Sequence, residues 1–114
     1  MMNPNQIKVA QEVKGFLPQN EADALYSAAT SLEVKGPLLE VGSYCGKSAV
    51  YIGLAAKEND EKLYSVDHHK GSEEQQPGEE YYDPDLIDKI GKGIDTLPFF
   101  LDTIRKSDLE GVVI

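Results

Sequence analysis

Two carboxylates and two glycines carry most of the chemistry this sequence can offer. Leu38-Leu39-Glu40-Val41-Gly42-Ser43-Tyr44-Cys45-Gly46-Lys47-Ser48 is a short apolar run that holds an acid, a loop with glycines at 42 and 46, and then residues suited to a helix. Glycine tolerates positive φ and lets the backbone approach a ligand, and the first N–H groups of a following helix have no partners of their own. About twenty residues after Gly46, the run Leu63-Tyr64-Ser65-Val66 ends in a second acid, Asp67. Acids at the tips of two neighbouring parallel strands would bracket a cavity at the carboxyl end of a sheet, where open α/β sheets take their ligands. Asp67 can accept from both vicinal hydroxyls of a ribose, and Glu40 adds an acceptor. Such a pocket suits an adenosine-containing molecule with a cationic group better than a polyphosphate.

Other readings of the same residues are weaker. Gly46-Lys47-Ser48 ends like a phosphate-binding loop, but that motif needs four residues between its glycines, and Gly42 and Gly46 enclose three. The spelling of a dinucleotide loop, G-x-G-x-x-G, is absent. Cys45 precedes a helix start, where a thiolate gains stability, yet a small residue filling a tight turn is the simpler account. His68 and His69 with Glu73 and Glu74 have no spacing usual for a metal site. Lys47 is expected to point to solvent from the first turn of its helix. Tyr81 and Tyr82 are the sizeable apolar anchors of a polar stretch, as a lid over a ligand or as a pin to the body.

The elements that would position these groups follow from periodicity. Ile7, Ala10, Val13 and Leu17 form a helical stripe over 3–16, ended by Pro18. Asn20 can cap a second helix with stripe Leu25, Ala28, Ala29 and Leu32, stopped by Gly36-Pro37. Leu38 to Val41 is uniformly apolar apart from its acid, the pattern of a strand buried on both faces in a helix-covered parallel sheet. A helix over 48–57 and a second strand over 63–66 give the spacing of a right-handed βαβ crossover. Residues 68–85, with Gly71, Pro77, Gly78, Pro84 and paired glutamates, read as a long insertion. Asp95 or Thr96 caps a helix with Pro98 in its first turn that runs to about 107, and Val112-Val113-Ile114 begins a third strand.

Composition sets the bounds. The chain has 114 residues, 40% of them hydrophobic, with eleven basic against twenty acidic residues and a net charge of -9. That balance disfavours nucleic acid and anionic membranes as partners and favours small molecules. One cysteine excludes an internal disulfide, and the polar start at Met1-Met2-Asn3-Pro4 has no apolar signal core, which points to the cytoplasm.

The strings LLEVGSYCGKSAVYIG, LYSVDHHKGSEEQQPGEEYYDP and DTLPFF resemble the first half of a class I S-adenosylmethionine-dependent methyltransferase, in a branch acting on small molecules. The resemblance covers most of residues 36–114 and implies an α/β Rossmann-like fold, a parallel sheet with flanking helices. Residues 1–36 would form a helical segment, and 37–114 the amino-terminal part of the S-adenosylmethionine-binding domain. It implies that Glu40, Gly42 and Ser43 lie beside the methionine part of the cofactor, that Gly46, Lys47 and Ser48 open the next helix, that Asp67 holds the ribose, and that His68 sits near the adenosine. Tyr44 occupies a loop position where the family often has a third glycine. No catalytic base is assigned among these residues. The run of β-branched residues at 112–114 reads as a truncation, so the chain alone is expected to be inactive and to self-associate through an uncovered sheet edge. The rival expectation is a non-catalytic nucleotide-binding or assembly module.

Overall fold

The computed structural model describes residues 2–88 and 93–114. Helix α1 (Pro4–Glu12) starts on a reciprocal cap, with Gln6 N–H donating to Asn3 Oδ1 at 2.9 Å and Asn3 N–H to Gln6 Oε1 at 3.1 Å. It ends well short of Pro18, at Glu12, because Lys47 Nζ reaches across from another helix and donates to the Ala10 carbonyl (2.9 Å), with Val13 O at 3.5 Å. An ammonium on those carbonyls satisfies acceptors that a further helical turn would have used, and it suits the negative end of the helix dipole. Lys47 therefore does not point to solvent. Helix α2 (Gln19–Thr30) is entered through Pro18, not Asn20, which lies within the first turn, and it ends before Gly36.

Strands β1 (Leu38–Val41) and β2 (Leu63–Val66) pair in parallel, Leu38 opposite Leu63 and Val41 opposite Val66, joined by helix α3 (Lys47–Glu58). Residues 112–114 lie along the other side of β2: Leu63 N–H donates to Val112 O (2.9 Å), Ile114 N–H to Leu63 O (2.8 Å) and Ser65 N–H to Ile114 O (3.0 Å). The expected third strand is thus present as a short parallel ladder, which puts β2 between its two neighbours. The 68–88 stretch carries two single 3₁₀ turns, at Glu73–Gln75 and Pro84–Leu86. Helix α4 (Leu97–Lys106) follows Thr96, with Asp95 Oδ1 accepting from Leu97 N–H at 3.1 Å and Pro98 in the first turn.

Helix α3 is the hub. It touches α1, α2, α4 and β2, and its Ala49, Val50, Tyr51 and Leu54 join Leu63, Phe100, Ile104 and Leu109 in one core. The sheet has a single covered face among the described residues. Glu40 and Leu63 point inward, whereas Leu39, Val41, Tyr64 and Val66 alternate outward, with Leu39 68% and Val41 78% exposed. Burial on both faces, expected from the apolar run, is not what the structure shows. A four-residue apolar run does not specify how many layers cover it.

Gly53 lies where α3 meets the 109–113 turn, and a Cβ built there would stand 2.8 Å from Val113 Cγ2 and 3.0 Å from Leu109 Cδ1. In an exposed helix Gly→Ala stabilises by about 1 kcal/mol. Here Gly53→Ala is expected to destabilise by about 1–2 kcal/mol through overpacking. A urea midpoint equal to or above that of the wild type would show that the turn yields freely.

Candidate functional site

The loop between β1 and α3 is built by its backbone. Gly42 and Gly46 adopt φ of +92° and +95°, and Tyr44 adopts φ of +50°. The left-handed conformation costs a non-glycine residue about 1 kcal/mol. At Tyr44 this is offset by its ring, which packs 5.8 Å from Phe16, and by its N–H, which donates to Asp67 Oδ2 at 2.8 Å. Tyr44 performs the backbone turn that a third glycine would.

Asp67, at the end of β2, closes back on that loop. Its Oδ2 accepts from Ser43 N–H and Tyr44 N–H, both at 2.8 Å, and its Oδ1 from His69 N–H at 2.9 Å. Burial pushes the Asp67 pKa up, but the three backbone donors together outweigh it and leave the carboxyl below its ordinary value. Three of its roughly four acceptor positions are taken. The two-hydroxyl grip expected of Asp67 is therefore reduced to about one free acceptor position.

Glu40 lies beneath the loop, almost fully buried. Ser48 Oγ donates to its Oε2 at 2.5 Å and Ser65 Oγ to its Oε1 at 2.8 Å, while Ser43 Oγ lies 2.5 Å from Ser65 Oγ. Desolvation raises the Glu40 pKa, the two serine hydroxyls oppose this, and repulsion from Asp67 adds to the rise. The two acids are thus joined through Ser43 and Ser65, one facing the loop and the other under it.

A cleft of about 550 Å³ opens at the carboxyl ends of β1 and β2. That volume suits a small-molecule site. Gly42, Tyr44, Asp67 and His68 line it, with Val41 and Val66 at the strand tips. Of the other residues singled out from sequence, Glu40, Ser43 and Ser48 form the network behind the loop. Gly46 packs on α4, its missing Cβ 3.2 Å from Phe100 Cδ2 and from Thr103 Cγ2. Lys47 faces away, onto the end of α1. Sequence reasoning missed Gly71, Ser72, Gln75 and Thr96 as cleft residues. The spacing Ser72-x-x-Gln75 was a readable capping signature. Thr96 was legible only as a helix cap; its Oγ1 lies 2.8 Å from Nδ1 of the buried His69.

The electrostatics of the loop discriminate between ligands. Its outward N–H groups at 43 and 44 already hold a carboxylate, so a phosphate there would meet a negative charge in place of free donors. Lys47, which a phosphate-binding loop would need at its mouth, is committed elsewhere. Cys45 is buried and its thiol is pushed up to about 12, chiefly by desolvation, which removes it as a nucleophile. No group of three or more His, Cys, Asp or Glu side chains among the described residues is placed to hold a metal ion. No described helix is long and apolar enough to cross a membrane.

Residues 39–109 match the family model described as a methyltransferase domain. The chain belongs to that family. The match begins in β1 and runs through the glycine loop, Asp67, the insertion and α4, so every cleft residue named above lies inside the methyltransferase domain. The parallel β1–α3–β2 unit with flanking helices is the corresponding part of a Rossmann-like methyltransferase fold.

Proposed function

We propose that the cleft receives S-adenosyl-L-methionine and that the protein transfers its methyl group to a small organic acceptor. The observation that carries this reading is the carboxylate lodged in the loop. A site whose donors are filled by Asp67, with Glu40 behind them, favours a ligand bearing positive charge and hydroxyl donors over a polyphosphate. When bound, the cofactor supplies an electrophilic methyl carbon on a sulfonium centre.

The chain's own residues bind and orient. Asp67 offers its remaining acceptor position to a ribose hydroxyl. Gly42 leaves the cleft wall open, since no atom lies within 4 Å of where its Cβ would be. Val41 and Val66 give an apolar floor at the strand tips. The Nδ1 of His68, a residue that lines the cleft, accepts from Lys70 N–H at 2.9 Å. Positioning of this kind is the main lever a protein has over an in-line displacement. We propose a cytoplasmic setting and no nucleic-acid or membrane partner, in keeping with the net charge of -9.

Calorimetry tests the reading directly. S-adenosylhomocysteine is expected to bind in the micromolar range, with ATP and magnesium giving no heat. A preference for ATP with magnesium would replace this reading with that of a phosphate binder.

A further inference from the structure

Three pieces of chain distant in sequence meet around the ring of Phe16. Phe16, in the extended link between α1 and α2, lies between two tyrosines: its ring centroid is 5.8 Å from that of Tyr44 and 4.6 Å from that of Tyr81. Two residues earlier, Lys14 Nζ donates to Asp83 Oδ2 at 2.7 Å and to Asp85 Oδ2 at 3.1 Å. Tyr81, Asp83 and Asp85 belong to the insertion after β2. The near limb of that insertion supplies Ser72 and Gln75 to the cleft, and Tyr81 N–H, donating to Glu74 O at 2.9 Å, ties the far limb to the near one.

Lys14 and Phe16 do not themselves line the cleft. What they hold does: Tyr44 on one wall, and through Tyr81 and Asp83 the limb that carries the other. The contacts are also cheap to break. Phe16 is 59% exposed and the side chains of Lys14, Asp83 and Asp85 are 34%, 25% and 72% exposed, so the pairs, the closer of them only part-exposed, can part without opening the core.

We propose that Lys14 and Phe16 are positioning residues for the ligand site, a latch by which the α1–α2 link holds the insertion against the glycine loop and sets how far the cleft stands open. The ligand arm of this proposal rests on the cofactor reading above; the latch itself does not.

Hydrogen exchange on the full chain, read at amides 72–86, is the test. Lys14→Ala is expected to speed exchange there about two- to fivefold, and Phe16→Ala about tenfold, in line with a part-exposed ion pair and two aromatic contacts. Lys14→Arg restores protection, and amides of α3 keep the wild-type rate in all three variants. High salt brings the wild type to the Lys14→Ala rate and leaves that variant unchanged. Unaltered exchange at 72–86, or a rise spread evenly over the chain, overturns the latch. In calorimetry the same variants should weaken S-adenosylhomocysteine by matching factors, again with rescue by arginine. Faster exchange with undiminished affinity would reduce Lys14 and Phe16 to a structural pin and overturn the positioning role. A wild type that does not bind S-adenosylhomocysteine would sink the cofactor reading, and the exchange result would then decide the latch alone.

Discussion

Asp67→Ala is expected to lower the thermal midpoint by roughly 10–20 °C and to remove binding of S-adenosylhomocysteine in the protein that still folds. The carboxylate accepts from the backbone N–H groups of Ser43, Tyr44 and His69, and these are charge-assisted bonds. Truncation leaves three partly buried donors without their acceptor, a cost of about 3 kcal/mol. It also releases Tyr44 from the contact that offsets its positive φ. Asp67→Asn should fare little better. An amide has one acceptor oxygen, so its NH₂ group must face either His69 N–H or the pair from the loop.

The same bonds fix a pH dependence. The Asp67 pKa is depressed in the folded state, so its contribution is complete above the ordinary aspartate value of 3.8 and is lost as pH falls through the lower folded value. Glu40 works in the opposite sense. Its folded pKa is raised above 4.5, so ionising it costs stability, and the cost is relieved as pH falls toward that raised value. The wild type should therefore hold or gain stability on mild acidification and lose it steeply below about pH 4. In Asp67→Ala the steep acid limb should shrink. Urea midpoints measured across this range check it, and an unchanged acid limb in the variant would show that Asp67 is not what fails there.

What residue type and spacing could say, they said at short range. The bounds of β1 and β2 followed from apolar runs set between Gly36-Pro37, Gly42 and Asp67, and the start of α4 from Asp95, Thr96 and Pro98, because each signal lies within a few residues of what it controls. The unread features are long-range. Helix α1 stops at Glu12 because of a lysine thirty-five positions on, which is invisible in its own periodicity. Asp67 was readable as an acid at a strand tip, but not as the holder of two amides twenty-three and twenty-four residues back, since backbone donors leave no mark on residue identity. Glu40 was legible as a site residue, yet its side chain goes under the loop. Alternation along β1 places position 40 on the helix-covered face and Val41 at the cleft, a parity that a run read as uniformly buried concealed.

Gly42 and Gly46 have nearly the same backbone angle, and substituting them should nonetheless give opposite kinds of failure. Both sit near φ +90°, where a side chain is strained by about 1–2 kcal/mol wherever it points. At Gly46 a Cβ would also press on Phe100 and Thr103 of α4 at 3.2 Å, inside the core that α3 and α4 share. Gly46→Val thus adds overpacking of about 1–3 kcal/mol or more and is expected to leave little folded protein. At Gly42, which lines the cleft, a Cβ would meet nothing within 4 Å. Gly42→Val should therefore fold, with a midpoint reduced by the backbone term alone, and lose S-adenosylhomocysteine affinity at least a hundredfold by filling the space the ligand needs. Circular dichroism melts paired with calorimetry on both variants separate the two effects. Tight binding by a folded Gly42→Val protein would move the ligand away from the tips of β1 and β2, and the glycine loop would then be a tight turn and nothing more.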